Sequence, residues 1–401
     1  MYLLGKKADK LNEDDIKRLV QNKVQENKSL DYKKELKLDQ DRDKKEFLFD
    51  ITSMSNTDGG CLIFGIEECK DEKGQNTGTP ERIVGITIAN YDKLSQQIED
   101  IIKGNTEPCI SNIALNPLTI DGQKVLVIGV SKTLGLPIMV TFNSTNKFYR
   151  RRNSGKYSVD VYELNQMFMQ NQVLKESAEK FRMQRIEKVR SGRVFPNLAI
   201  DTSFFIHIIP FNFQSEQTLD LTNAKHMDIN EIMKPMFVFS YSDMFNVDGY
   251  ATWCGMGNPH IDAYDQLFRN GIYEVYSANL FEQRTITTEQ KILCMYGTSF
   301  IPDVLDKIAN AFNVLKKFQI EPPFIIGISM FGMKGGVIHV TPNYSPAIRI
   351  IGRPFLVDEI YLPPIVIPTY EADIYSYLKP IFDIVWQAVS QNQSPSYNPK
   401  E

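Results

Sequence analysis

Apolar and polar positions follow helical spacing in some stretches of this chain and strand spacing in others, and the mix changes near residue 196. Residues 10–30 carry a helical spacing and residues 29–38 an extended one. Residues 43–56 predict an amphipathic helix whose apolar face holds Phe47, Leu48, Ile51 and Met54. The turn Asn56-Thr57-Asp58-Gly59-Gly60 ends it, because Asp-Gly and Gly-Gly disfavour continuation. CLIFGIEE and RIVGIT then read as a hairpin, followed by a helix from Tyr91 to Ile102. KVLVIGVSK, PIMVTF and KFYRRR complete a small sheet. From Val159 to Arg193 the pattern is helical and strongly charged, which predicts a long exposed connector helix.

Beyond Pro196 a second core begins. FFIHIIPF, PMFVFSY, YATWCG, GIYEVYSANLF, FIIGISMFG and GVIHVTP read as strands. FIPDVLDKIANAFNVLKKF and YEADIYSYLKPIFDIVWQAVSQ read as amphipathic helices. The expected fold class is α+β: a small mixed sheet with flanking helices, then a second α/β domain. The expected boundaries are a first domain over 1–165, a helical connector over 166–195, a second domain over 196–391 and a disordered tail over 392–401.

Length and composition fit this division. The chain has 401 residues, 42% of them hydrophobic and 23% charged, ordinary values for globular domains. The N-terminus lacks a signal-peptide apolar core, and no apolar run approaches the roughly 20 residues of a membrane helix. Five scattered cysteines without a CxxC pair read as reduced thiols, so a cytoplasmic protein with no membrane partner is expected. The four histidines include no i, i+4 pair, which argues against an HExxH zinc hydrolase. No GxSxG elbow supports a serine triad. Net charge is −4, but it is uneven. Residues 1–195 hold 32 basic and 28 acidic residues, and the remainder 13 and 21. The first half is therefore the half suited to a polyanion.

The candidate chemistry sits in that half. Glu26 and Asp31 lie at the start of one predicted strand, followed by Lys33, while Glu67 and Glu68 end another. Acids on two strands could hold Mg²⁺ or Mn²⁺, which prefer carboxylate oxygens, against a phosphodiester. Alternation places Asp31 and Lys33 on one face. It sends Glu67 and Glu68 to opposite faces, so only one joins the cluster unless a bulge intervenes. Lys33 suits the scissile phosphate. The competing reading makes these residues ordinary surface charges.

The turn Asn56, Thr57, Asp58, Gly59, Gly60 has two readings, an anion-binding nest or an Asx turn that closes a helix. It lacks the Gly-Lys-Ser/Thr ending of a Walker A loop. The strand KFYRRRNSGKYS offers Lys147, Arg150, Arg152 and Lys156 with Tyr149 as a nucleic-acid contact, with Arg151 on the opposite face. The alternative is a charged edge strand. In the second half, Tyr250, Trp253, Phe268 and Tyr273 read as core, and His260 and Asp262 as loop residues.

Taken in order, Glu-x4-Asp-Tyr-Lys, SNTDGGCLIFGIEE, IVGI, VLVIGVSK and KFYRRRNSGKYSV resemble the Schlafen AlbA-like domain over roughly residues 20–165. The resemblance implies a metal-dependent nuclease core that cuts structured RNA such as tRNA. Its acids would be Glu26, Asp31 and Glu67, which would also be the ligands of Mg²⁺ or Mn²⁺. Related proteins place two such lobes side by side, which implies a homodimer here, and the family's setting suggests antiphage defence. Position 31 is Asp where the family has Glu, and the strand end is Glu-Glu where Asp-Asp is common. The leading expectation is an endoribonuclease. The alternatives are a non-catalytic nucleic-acid-binding regulator and a nucleotide-sensing protein that uses the 56–60 turn. The second domain is expected to sense, bind a partner or oligomerise.

Overall fold

The computed structural model describes all residues except 1, 5, 111–112, 134, 154, 196, 216–217, 225–226, 239, 255–259, 288–289, 341–348 and 398–401. The boundary residue proposed at Pro196 lies outside the described residues. The chain forms two compact units, Met1–Gln172 and Val173–Glu401, and is mixed α+β.

In the first unit, helix α1 (Glu13–Gln21) is started by a reciprocal capping box between Asn12 and Asp15. Strand β1 (Leu30–Lys33), helix α2 (Asp41–Ser55) and strand β2 (Gly60–Phe64) follow. Next come the hairpin of β3 (Ile66–Lys70) and β4 (Asn76–Ile83), then helix α3 (Tyr91–Asn105) and the short β5 (Thr106–Glu107). Strands β6 (Ile113–Ile120), β7 (Gln123–Val130), β8 (Met139–Val140), β9 (Lys147–Arg152) and β10 (Gly155–Ser158) complete its sheets.

One four-stranded sheet has the order β1-β2-β7-β6, with β1 and β2 parallel and the other pairs antiparallel. Alternation gives it two buried faces. Leu62, Phe64, Leu126 and Ile128 pack with Leu48, Ile51 and Met54 of α2 and Ile98 and Ile102 of α3. Leu30, Tyr32, Cys61, Ile63 and Val127 pack with Ile16 and Leu19 of α1. A second sheet has the order β10-β9-β8-β5. CLIFGIEE is not one strand. Gly65, at φ +100°, turns the chain so that β2 joins the large sheet and β3 leaves it for β4. Gly60 allows the close approach of β1 and β2, since a Cβ there would lie 2.3 Å from the Ser29 carbonyl oxygen.

Helix α4 (Val161–Arg190) crosses the boundary of the two units. The sequence predicts an exposed connector, but Ala178, Arg182, Arg185, Ile186 and Val189 of its second half are buried.

The second unit is built on a sheet of β11 (Ser203–Pro210), β12 (Ser242–Phe245), β13 (Gly249–Cys254), β14 (Ala263–Phe268), β15 (Tyr273–Ser277), β18 (Phe324–Phe331), β21 (Glu359–Tyr361) and β22 (Ile365–Ile367). Its order is β12-β13-β14-β15-β11-β18-β21, with β22 also on β18, and every ladder is antiparallel. A smaller sheet joins β16 (Phe281–Thr287), β17 (Gln290–Tyr296), β19 (Val337–Val340) and β20 (Arg349–Ile351) in that order. Among its described residues PMFVFSY forms no strand, and β12 starts at Ser242, after it. Helices α5 (Phe300–Lys317) and α6 (Ile374–Gln387) cover one face of the large sheet with Val304, Ile308, Phe312, Phe382 and Trp386.

The other face receives α4. Arg185 Nε donates to both carboxylate oxygens of Glu274 at 3.0 Å, and Glu274 also binds His207 Nε2 and the Tyr264 hydroxyl. Arg182 lies over Gly327, where any Cβ would come within 2.6 Å of its Cδ. The tail predicted as disordered is partly ordered. The Ser394 amide and hydroxyl donate to Asp383, and the Tyr397 amide donates to the Tyr375 hydroxyl. Residues 398–401 lie outside the described residues.

Candidate functional site

Strand β1 sorts its side chains by alternation. Leu30 and Tyr32 enter the α1 core, so Asp31 and Lys33 face α2. There they meet Asp50, which α2 places on its buried face. Lys33 Nζ lies 3.0 Å from Asp31 Oδ1 and 3.8 Å from Asp50 Oδ2. From β9, Arg151 Nη1 donates to Asp31 Oδ2 at 2.6 Å. Lys156 of β10 donates to Asp50 Oδ1 at 2.8 Å and to Glu46. Asp31, Asp50 and Arg151 are buried, and Lys33 keeps 36% of its side chain exposed. Lys33 is therefore where the cluster meets solvent.

Glu26 completes this edge. Its amide donates to the Gly78 carbonyl at 2.7 Å, and its Oε1 accepts from the Tyr32 amide at 2.7 Å. Its carboxyl is also hydrogen-bonded to Asp31. Burial, with the negative charges of Asp31 and Glu68 added, pushes the Glu26 carboxyl up to about 8, against the pull of the Tyr32 amide. Burial works the same way on Asp31, but Lys33 and Arg151 outweigh it and hold that carboxyl below its usual range. Asp50 is raised by its burial, although Lys33 and Lys156 oppose the rise. Lys33 is raised: burial disfavours its charge, and the attraction of Asp50 and Asp31 overcomes that.

The expected third acid does not join. Glu67 accepts from Lys34 and Arg82 at 2.7 and 2.8 Å, and these bonds lower its carboxyl to about 2. The β3–β4 ladder shifts register between Glu67 and Glu68. Glu68, not Glu67, acts on Glu26, while its own oxygens accept from the Gly78 amide and the Asn76 side chain. Among the described residues no three His, Cys, Asp or Glu side chains come together to hold a metal ion. Glu26, Asp31 and Glu67 as they stand therefore do not fit a three-carboxylate Mg²⁺ or Mn²⁺ site. The oxygens of Asp31 are taken by Lys33 and Arg151, and those of Glu67 by Lys34 and Arg82.

The 56–60 turn is structural. Asn56 donates to the carbonyls of Ile138 and Tyr149 and accepts from the Ile138 amide. The Thr57 hydroxyl donates to Ser53 and accepts from the Arg151 amide. Asp58 bridges Lys28 and Lys132. The amides of Thr57 and Gly59 donate to the Met54 carbonyl, and that of Cys61 to Ser29. A phosphate nest needs these N–H groups free, and they are used.

Strand β9 divides the predicted nucleic-acid residues. Tyr149 is buried and stacks on Phe49 at 3.9 Å between ring centroids, so it is core and no base platform. Lys156 is committed to Glu46 and Asp50. Lys147 is exposed, Arg150 is half-buried, and exposed Arg152 lies over the Tyr157 ring at 4.2 Å. The inward partner of this strand is Arg151, whose 57–151 and 31–151 bonds tie the turn to the acids.

Sequence reasoning missed Asp50, Arg151 and the part played by Glu68. A signal existed for Asp50, an acid within the apolar face of α2. In the second unit Tyr250, Phe268 and Tyr273 are buried as expected and Trp253 is half-buried. Exposed His260 places its Nδ1 3.3 Å from the Asn197 carbonyl oxygen.

Residues 26–160 match the family model described as Schlafen, AlbA_2. No curated protein matches the chain. Among solved structures, the DIP2311 protein of Corynebacterium diphtheriae is similar at 24% identity over 34% of this chain and 26% of its own, with a TM-score of 0.25. The N-terminal domain of a RecG-related protein from Nitrosomonas europaea is similar at 20% identity over 35% of this chain and 86% of its own, with a TM-score of 0.27. No helix among the described residues is long and apolar enough to cross a membrane. The domain match suggests a nucleic-acid-related function. The chain thus carries a Schlafen AlbA_2 domain at residues 26–160.

Proposed function

We propose that this domain binds structured RNA, with a backbone phosphate seated at the solvent-facing end of the Glu26–Asp31–Lys33–Asp50–Arg151 cluster. The observation that carries the reading is Lys33. Its ammonium is positioned by two buried carboxylates and still reaches solvent. A lysine fixed in this way loses little freedom on meeting a phosphate oxygen. Arg150 and Arg152 present a separate cationic pair on the outward side of β9, suited to further phosphates, and exposed Lys147 stands at the strand's start.

A second reading, endoribonuclease, is favoured by Glu26. A carboxyl that titrates near neutrality beside a lysine has the pKa that general acid–base catalysis requires. Glu26 and Lys33 are the side chains that would move the proton and meet the phosphate.

Labelled tRNA titrated at several salt concentrations tests both readings. Binding by the full chain is expected, weakened several-fold by Lys33→Gln and, independently, by Arg150→Ala with Arg152→Ala. Each lost phosphate contact should lower the log–log salt slope by about 1. Parallel incubations with Mn²⁺ and with EDTA report strand cleavage. Cleavage abolished by Glu26→Gln supports the enzyme, while binding without cleavage leaves the regulator. Absence of tRNA binding at low salt overturns the proposal.

A further inference from the structure

Within the second unit, a cavity of about 280 Å³ opens where β16, β17 and α5 meet. Phe281 and Glu282 open β16, Tyr296 ends β17, and Phe300 begins α5. Phe237, from the segment before β12, adds a fourth ring, and Asn279, just after β15, adds an amide. Among the described residues of the lining, Glu282 carries the one charge.

The walls are held in place before any ligand arrives. The Tyr296 hydroxyl donates to Glu282 Oε1 at 2.7 Å. The Arg284 guanidinium lies over the Tyr296 ring at 4.8 Å, and the His339 ring packs against it at 4.4 Å between centroids. A ring fixed in this way loses little freedom on meeting a partner. His339 is fully buried, and neither of its ring nitrogens has a hydrogen-bond partner. Packing alone does not require that cost. Phe237 sits at φ +60°, in the left-handed region that aromatic residues rarely adopt. Strain of this kind gathers at binding sites.

The lining selects the ligand. Arg284 Nε donates to Glu282, so that carboxylate is already answered and a charged ligand of either sign gains nothing. Four rings suit a planar aromatic partner. Asn279 bonds Ser277 through its main-chain amide, which leaves its side chain to offer a donor and an acceptor together. That pairing reads the amine and ring nitrogen on one edge of adenine. The volume lies near the lower limit of small-molecule pockets, roughly 300 Å³. A phosphate would meet a carboxylate and no unpaired cation among the described lining residues.

We propose that this cavity binds an unphosphorylated purine of the adenine type, with its ring against the aromatic side chains and its edge on Asn279. The source is a free nucleoside or a base unstacked from RNA, and the site stands apart from the phosphate cluster of the first unit.

Calorimetric titration of the full chain with adenosine tests it. The expected dissociation constant is on the order of 100 µM. Asn279→Asp, which keeps an acceptor and loses the donor, and Phe237→Leu should each weaken binding about tenfold or more. Far-UV circular dichroism should match the parent in both. Val247→Glu, at a 90% exposed position of the same unit, should leave binding unchanged. ATP should bind at least about tenfold more weakly than adenosine. Displacement of bound adenosine by a short oligoadenylate supports the site and names RNA as the source. Adenosine binding that the oligomer does not disturb supports it with the free nucleoside as ligand. No binding up to about 1 mM adenosine overturns the proposal. So does ATP binding as tight as adenosine, or adenosine binding unchanged in both cavity variants.

Discussion

Arg151 and Asp31 form a buried ion pair, with Nη1 2.6 Å from Oδ2 and both side chains at 6% exposure or less. The pair joins β9 to β1 across 120 residues of sequence. Removing one member leaves the other charged and desolvated. Arg151→Met is expected to cost about 3 kcal/mol or more in urea unfolding. Asp31→Asn should cost less, because an amide still accepts from Arg151. Equal and negligible effects would show that the pair is open to water.

Stability should also depend on pH through Glu26. Its folded carboxyl titrates at about 8, above the ordinary 4.5. Between those values the folded state holds a proton that the unfolded chain has released. The contribution is therefore greatest below about 4.5, falls as pH rises to about 8 and is flat above that. Asp31 acts in the opposite sense. Its lowered carboxyl gives stability that is present above 3.8 and lost as pH falls through the depressed value. Urea midpoints measured from pH 5 to 9 should decline in the parent and lose that decline in Glu26→Gln. An unchanged slope in the variant removes Glu26 as the source.

Glu67 should be dispensable. It is held by the exposed residues Lys34 and Arg82, and surface pairs contribute little. Glu67→Gln is expected to leave the thermal midpoint and tRNA affinity at parental values, whereas Glu68→Gln should lower the apparent pKa of Glu26. An NMR titration of the Glu26 carboxyl reads the second effect directly. A Glu26 pKa that follows Glu67 rather than Glu68 would reverse the assignment.

The turn after α2 gives a stability prediction of a different kind. Asn56→Ala removes three buried hydrogen bonds and strands the Ile138 amide with two carbonyls. A loss of about 3 kcal/mol is expected in chemical denaturation. A loss below about 1 kcal/mol would mean that water replaces the amide.

Much of this domain was legible before any coordinates. The apolar face of α2, the stop at NTDGG and the inward turn of Asp31 with Lys33 all follow from period and turn chemistry. The third acid was not legible, because a bulge and the bend at Gly65 decide it, and neither leaves a mark in an alternating pattern. The roles of Asp50 and Arg151 were hidden for another reason. A charged residue within an apolar stripe is conspicuous, but its partner comes from a strand 100 positions away. Tyr149 and Lys156 were misjudged because composition cannot separate a basic strand's inward side chains from its outward ones. In the second unit β11, β13, β15, β18, β19 and both long helices were predicted, but the remaining strands and the ion pairs beneath α4 were not. A helix rich in arginine and glutamate reads as solvated until the sheet beneath it supplies Glu274.

The bare backbone at Gly327 has one more effect. Because the guanidinium of Arg182 rests where a side chain would otherwise stand, the helix is keyed to the sheet like a pin in a slot. Even alanine at this position should eject Arg182, so a single methyl group would unseat α4 from the sheet.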